Sequence, residues 1–535
     1  MTNDFEGKRG LPMGWSRATL EEIAEINPSL PANDTADETE VSFLPMKAVA
    51  EESGKFDSSV TRSFGQVKKG YTPFVDGDVI FAKITPCMEN GKSAVVRKLM
   101  NGVGLGSTEF HVLRPESGLI SEFLFFYLIQ KSFRQEAQSK MTGSAGQKRV
   151  PTAFIERSEI HLPSTTEQRR IVSRIEELFT RLDAGVEELR KAQTQLRRYR
   201  QSVLNAAITG KLTKEWREAH QSELESASEL LARILKKRRE KWETDQLTKM
   251  EAAGKAPKGD VWKANYPEPQ PPTLDGMPEL PKEWSWARLD SLAAIKGGIT
   301  KNAGRRIRNG RTIPYLRVAN VQRGYFDLAE MKLIEATEAE ISELQLQNED
   351  VLFTEGGDRD KLGRGWVWHN ELQECIHQNH IFRGRLFSPE MSARFISLFS
   401  NTFGINYFLR EGKQTTNLAS INHTKLSGLP VPVPSSEEQG RIVEEIERCF
   451  SIADASERTI EQSLKQAERL RQSILKQAFE GKLVPQDPKD ELADLLLERI
   501  KIERAQREAE KRAGSKPNRG GFRKKQNKRV QRVTA

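Results

Sequence analysis

The stretch TEQRRIVSRIEELFTRLDA (166–184) returns as EEQGRIVEEIERCFSIADA (437–455), an offset of 271 residues. The same offset carries RQSVLNAAITGKL (200–212) onto RQSILKQAFEGKL (471–483), and LPMGWSRATLEEI (11–23) matches LPKEWSWARLDSL (280–292) at an offset of 269. Matches in the same order define a duplicated unit of about 270 residues. Between the matched ends, residues 27–160 and 296–430 share little beyond strand-like pieces such as GDVIFAK (77–83) against EDVLFTE (349–355). A repeat kept for stability alone retains its packing positions throughout. Here the ends are kept and the middles differ, which suits a frame holding two different readers.

Each copy opens on a helix-start signal. Pro163-Ser164 and Pro434-Ser435 precede an acidic first turn, which places a hydroxyl cap and negative charge at the positive end of the helix. Apolar and small residues then step by four and three: Ile171, Ile175, Leu178, Leu182, Gly185, Leu189, Ala192, Leu196, Tyr199, Val203. The second series is Ile442, Ile446, Cys449, Ala453, Ser456, Ile460, Ser463, Ala467, Leu470, Ile474. This is a sustained heptad seam, closed by the C-cap glycines Gly210 and Gly481. A helix of about 45 residues is about 67 Å long and must cover its single apolar stripe. Its duplicate is the nearest partner, so the pattern predicts an intramolecular antiparallel coiled coil with a pseudo-two-fold axis. The alternative is a coiled coil that serves only oligomerisation. The small seam residues predict closest approach near mid-helix.

The organisation that follows is a first recognition domain (1–163), a central spacer helix (164–212), a helical and Pro-rich connector (213–279), a second recognition domain (280–434), a second spacer helix (435–482), a terminal helix (483–513) and a basic tail (514–535). The fold class is α/β (mixed α+β). The connector holds an amphipathic segment over Glu223–Met250 and then a Pro-rich stretch that excludes helix. SELLARI (228–234) is echoed by ELADLLLERI (491–500), a repeated element predicted to dock a partner rather than to catalyse.

Charge needs care. From Lys511 to Ala535 there are ten Lys or Arg and no acid; removing that +10 from the net +9 leaves the other residues at about −1. Basicity is thus a property of the tail, read as a solvated segment or an arm adding non-specific phosphate affinity. Cys87, Cys375 and Cys449 are isolated and form no metal-ligand spacing, which predicts a reduced, cytoplasmic compartment and no zinc. No segment has the roughly 20 apolar residues of a membrane span, and the N-terminal residues do not read as a signal peptide.

The first insert reads as short strands with a helix over 121–137 and three polar loops: 84–92, 106–115 and 142–150. Their base-reading candidates are Lys83, Thr85, Asn90, Lys92, Ser107, Thr108, Ser144, Gln147, Lys148 and Arg149. The second insert offers loops at 354–365, 375–385 and 412–425, with Asp360, Lys361, Arg364, His377, Gln378, Asn379, His380, Thr415, Thr416 and Asn417. Such side chains donate to and accept from base edges, while glycine lets backbone approach phosphate.

The pair FAKITPCMENGK (81–92) and GSTEFHVLRP (106–115), the run YLRVANVQRGYFDL (315–328), and TEGGDRDKLGRG (354–365) with CIHQNHIFR (375–383) resemble target-recognition domains of type I restriction-modification specificity subunits. The EQxRIV start and RQSxLxxAxxGKL end of each long helix are similar to that family's spacer helices, and the resemblance covers all but the tail. It implies two mixed α/β recognition domains on an antiparallel helix pair, reading a bipartite sequence in double-stranded DNA, one half per domain. It also implies a complex with two modification subunits and with restriction subunits. S-adenosylmethionine, ATP and Mg are expected on those partners, with no cofactor on this chain. A 67 Å helix spans about 20 base pairs at roughly 3.4 Å each, an upper limit on half-site separation.

No catalytic signature stands out in the sequence. Gly91-Lys92-Ser93 resembles the end of a phosphate-binding loop, but Pro86 stands where its first glycine belongs. Gly102-Val103-Gly104-Leu105-Gly106 lacks dinucleotide-binding spacing. There is no Asn-Pro-Pro-aromatic tetrapeptide for adenine methylation, and His377 and His380 lack a carboxylate that would make them a metal or acid–base site. Recognition is therefore the predicted role. A fused methyltransferase, or a coiled-coil adaptor binding DNA without sequence preference, are the alternatives.

Overall fold

The computed structural model describes residues 11–30, 35–144, 146–255, 257, 259–301, 309–357, 361–414 and 419–514. The chain divides into two compact units, Met1–Leu189 with Gln462–Ala535, and Arg190–Glu461. Each holds one recognition domain and half of each long helix.

In the first unit, Ser16–Thr19 pairs antiparallel with Glu159–Leu162, closing the domain at its two ends. One four-stranded sheet runs Ala24–Ile26, Phe110–Pro115, Val79–Ala82, Ser93–Val95 in spatial order. A second runs Thr61–Ser63, Glu40–Leu44, Val103–Gly106, Thr72–Val75, with Glu40–Leu44 and Val103–Gly106 parallel. The second unit repeats this plan. Ser285–Arg288 pairs with Pro430–Val433. The main sheet is Ala293–Gly297, Ile381–Leu386, Asp350–Thr354, Val367–Trp368, and Gly310–Leu316 runs parallel to Ile376–His377. An identical fork fixes each main sheet: Arg114 holds both oxygens of Asp78 at 2.8 Å, and Arg385 those of Asp350 at 2.8 and 2.7 Å. Bidentate pairing of this kind gives direction as well as energy.

The helix expected over 121–137 is two helices, Ser121–Leu128 and Lys131–Ser139, because Gln130 is extended (ψ 137°). The long helices run Thr165–Ile208 and Ser436–Phe479. Ser164 and Ser435 accept from the amides of Glu167 and Glu438 at 3.1 and 3.2 Å, as their cap positions require. Beyond their ends Gly210 and Gly481 sit at φ 68° and 67°, and a Cβ there would come within 2.4 Å of Pro281 and 2.3 Å of Pro12. Only glycine satisfies both demands.

The long helices pack antiparallel within each unit. In the first, Ile171, Ile175 and Phe179 share a core with Ile474, Leu475 and Phe479. In the second, Val203, Ala207 and Ile208 share one with Ile442, Ile446 and Cys449. Leu178, Leu182, Leu189 and Leu196 are half-buried, and Ile460 is buried. The seam differs from expectation one step before its last positions: Tyr199 and Leu470 are 43% and 48% exposed, while Val203 and Ile474 are buried. Arg200 and Arg471 take the more inward positions, pairing with Asp454 (2.5 Å) and with Asp183 respectively. Arg471 also lies 4.2 Å from the centroid of the Phe179 ring. A helix of 3.6 residues per turn drifts from a 3.5-residue repeat, so the inward step after 196 and 467 is four residues, not three. Gly185 is exposed, with nothing within 4 Å of an added Cβ, so it is not a point of close approach.

The connector helix is Ala227–Ala252, begun by a reciprocal cap between Ser226 and Glu229, and the Pro-rich stretch after it is neither helix nor strand. The terminal helix is Ala493–Gly514. Their buried residues correspond at an offset of 266: Ala227, Leu230 and Ile234 against Ala493, Leu496 and Ile500. These residues are buried against the chain's own recognition domains, while Leu495 and Ile502 of the terminal helix stay exposed. The Ala227 amide donates to the Glu283 carbonyl and the Ala493 amide to that of Gly14, residues themselves related by the duplication.

Candidate nucleic-acid interface

Three loops of the first insert converge at the end of strand Val79–Ala82. The Lys83 amide donates to the Glu109 carbonyl (2.9 Å), and the Val150 amide donates to the Lys83 carbonyl (2.8 Å). The Thr85 amide donates to the Lys148 carbonyl (3.0 Å), and Arg149 bridges in the backbone to both Ile84 and Thr142. Side chains tighten the junction. The Arg149 guanidinium forks onto the Glu109 carboxylate at 2.9 and 2.8 Å. That bond holds Glu109 below the usual carboxylate range and Arg149 above its usual value. Beneath lies His111, with Nε2 2.9 Å from the Val150 carbonyl; burial pushes it down to about 4, so the ring is neutral.

The second insert repeats the lacing with other residues. The Glu355 amide donates to the His380 carbonyl (2.9 Å), and the Ile421 amide donates to the Glu355 carbonyl (2.8 Å). Gly356 and Gly357 pair with Ser420 and Ala419, which pair in turn with Lys413 and Gln414. Contrary to the expectation from sequence, His380 has a carboxylate neighbour: its Nδ1 lies 2.6 Å from Glu355, 25 residues away in the chain. The backbone bonds put Glu355 in the place of Lys83, His380 in that of Glu109, and Ser420 in that of Arg149. One frame therefore presents Lys, Glu and Arg in one domain and Glu, His and Ser in the other.

The family model for the type I restriction modification DNA specificity domain matches twice, over residues 12–191 and 281–466. The chain belongs to this family. The specificity subunit of the type I restriction enzyme EcoEI of Escherichia coli is 30% identical over 493 residues, 83% of this chain and 79% of that one. That of EcoAI, also from Escherichia coli, is 36% identical over 54% of this chain and 52% of its own length. A solved chain from work on complex assembly and conformational transition of the type I R-M system shares the fold: TM-score 0.60, 21% identity, 88% of this chain and 99% of the other. Specificity subunits are the non-catalytic, DNA-recognising members of their systems, and this chain is one of them. Among the described residues no His, Cys, Asp and Glu cluster would hold a metal ion, and no helix is long and apolar enough to cross a membrane.

Within the specificity domains, the candidate readers fall into distinct places. Asn90, Thr108, Ser144, Gln147, Lys148 and His380 are exposed around the two junctions. Lys83, Thr85, Lys92, Ser107, Lys361, Gln378 and Asn379 are half-buried beside them. Asn90 donates to Glu51 (2.8 Å), Thr85 to Glu89, and the Ser107 hydroxyl accepts from the Glu109 amide (3.2 Å). Arg364 is directed inward, donating to Gln322 (2.9 Å) and to the Val318 carbonyl (3.0 Å), and so braces the turn after Leu316. His377 is corrected outright. It is fully buried, its Nδ1 lies 2.9 Å from the Ile381 carbonyl, and burial pushes it down to about 3, so it cannot meet a base. Asp360, Thr415, Thr416 and Asn417 lie outside the described residues. Glu109 and Glu355 escape a reading of the loops that weighs cations, amides and hydroxyls and takes Asp360 as its one acid. Aligning GDVIFAK with EDVLFTE already sets Lys83 opposite Glu355 and marks the junction.

Proposed function

We propose that the chain reads an asymmetric bipartite target in double-stranded DNA, one recognition domain per half-site. It directs adenine methylation or restriction by two modification subunits and by restriction subunits. One observation carries the asymmetry: a shared backbone junction bears Lys83, Glu109 and Arg149 in one copy and Glu355, His380 and Ser420 in the other. Donors and acceptors so exchanged match different base edges in the major groove. Spacing, groove choice and strand follow from the DNA complex. S-adenosylmethionine, ATP and Mg belong to the partner subunits, and the assembly works in the cytoplasm.

The decisive experiment maps methylated adenines across the genome with and without the gene. Loss of one split motif is expected. Replacing residues 27–160 by another insert is expected to change one half of that motif and leave the other intact; a change in both halves would refute the assignment of one domain per half.

A further inference from the structure

The duplicated frame is filled differently where each recognition domain meets its long helices. In the first unit Phe126 packs edge-on against Phe179, ring centroids 5.8 Å apart and both rings buried. Phe125 fills the neighbouring space, so close to Gly54 that a Cβ there would stand 2.8 Å from its ring. Helices Ser121–Leu128 and Ala393–Ser400 correspond at an offset of 272, anchored by equal bonds from the Ile120 and Ser392 amides to Gln168 and Gln439 (2.8 and 2.7 Å). Phe125 and Phe126 therefore become Ser397 and Leu398, while Phe179 becomes Phe450.

Phe125 has a substitute, because Trp366 lies 3.6 Å from a Cβ placed on Gly324, in the turn that corresponds to that of Gly54. Phe126 gives way to the smaller Leu398, and there the space stays open. A cleft of about 550 Å³ lies there, walled by Leu204, Leu398, Ile446, Phe450 and Trp366. The charges at its mouth are exchanged as well. Arg394 stands where the first copy has Glu122, and Arg458 where it has Glu187. Arg323 is a third cation on the wall. Arg394 lies 3.8 Å from the Trp366 ring centroid and 3.1 Å from Glu447, so the aromatic floor is already held flat by a guanidinium. Asp454, the other acid in the lining, is paired with Arg200 at 2.5 Å.

We infer that this cleft docks a protein segment that presents an aromatic side chain beside a carboxylate. The first copy shows the shape of the occupant, since its own Phe126 fills the corresponding space against Phe179. Arg394 is paired with Glu447 and Arg323 donates to the Asn401 carbonyl, so Arg458, which replaces Glu187 of the first copy, supplies the charge. Rigid aromatic anchors in partly desolvated clefts with arginine at the edge are the usual centres of protein interfaces. As the only partners argued for this chain besides DNA are its companion subunits, the modification subunit is the probe, and to that extent the inference rests on the proposed function. Engagement at the second copy alone makes the two ends of the subunit inequivalent to their partners.

The test uses the full chain and its modification subunit. Leu398→Phe supplies the missing ring. It is expected to raise Tm by about 1–3 °C and to weaken the modification subunit's affinity at least tenfold by calorimetry. Arg458→Glu restores the charge of the first copy and is expected to weaken affinity by a similar factor without moving Tm. In ligand-observed NMR, N-acetyl-tryptophan should bind the wild-type chain at least fivefold more tightly than N-acetyl-tryptophanamide, and Leu398→Phe should abolish the signal. An unchanged subunit affinity in Leu398→Phe overturns the inference, and if N-acetyl-tryptophan still binds, the cleft takes a small aromatic acid instead. Failure of the proposed function shows separately, as absence of any split methylation motif from the wild-type complex.

Discussion

Both recognition domains are bolted to the long helices through a buried glutamate in the first helical turn, and the bolts differ in strength. Glu438 accepts from Trp284 (2.8 Å), Arg217 (2.6 Å) and Thr213 (2.7 Å). Glu167 accepts from Trp15 (3.0 Å) and weakly from Gln486 (3.5 Å), and burial pushes it above the usual carboxylate range. The tryptophan–glutamate bond is the shared part of the duplication, whereas a cation bonds the carboxylate directly in the second copy and in the first Arg170 acts on Glu167 only through space, being bonded to Asp490. A buried carboxylate is tolerated with either a cation or neutral donors, but losing a cation leaves charge unpaired.

The sharpest way to break this comparison is Arg217→Ala, which strands the Glu438 carboxylate. It is expected to cost about 3–5 kcal/mol in chemical denaturation. Gln486→Ala in the first copy is expected to cost only about 1 kcal/mol. Equal losses would mean that the two bolts are equivalent after all.

Next comes acid. The His111 and His377 rings are held down to about 4 and about 3 by burial, against an ordinary 6.5. Their contribution is complete above the ordinary value and drains as pH falls from there toward those lowered values, because the unfolded chain takes up the proton first. For His111 this amounts to about 3 kcal/mol by pH 4, at about 1.4 kcal/mol per pH unit. Hydrogen exchange around Val150 and Ile381 between pH 7 and pH 4.5 should show progressive loosening, and pH-independent protection there would remove the prediction.

A third test acts on reading. Arg149→Ala frees Glu109 and is expected to relax one half-site by about 1–3 kcal/mol of discrimination, leaving the other half-site as it was. Sequencing of bound duplexes that finds both halves relaxed would place Arg149 among general phosphate contacts.

The smallest effect is the most pointed for the helix pair. Leu470→Ser, at an exposed position, should shift stability by less than about 0.5 kcal/mol, whereas Ile474→Ala should cost about 2–4 kcal/mol. A large loss at Leu470 would restore the strict heptad seam.

The long helices, their caps and their antiparallel pairing were legible because duplication and periodicity act locally. The heptad count fails one step before the last seam positions, at Tyr199 and Leu470, where helix drift and an arginine pair outweigh it. The loops were found, but not their lacing, since a bridge such as Ile84 to Arg149 spans far too much chain for local pattern to show. His377 misled because its strand alternates apolar and polar residues, yet both Ile376 and His377 are buried. Alternation indicates a solvent face only when one side of the sheet meets water.

The division of the chain also sets an order of completion during synthesis. Among the described residues, the core of the second recognition domain draws on the chain between Val203 and Phe450. That of the first needs Ile474, Phe479, Leu496 and Ile500, made roughly 300 residues after Phe179. At about 5–20 residues per second, the ring cluster of the first domain waits some 15–60 s for its last walls. The domain translated first is the one finished last, so a ribosome that stalls after residue 460 releases a chain with its second reader complete and its first still open.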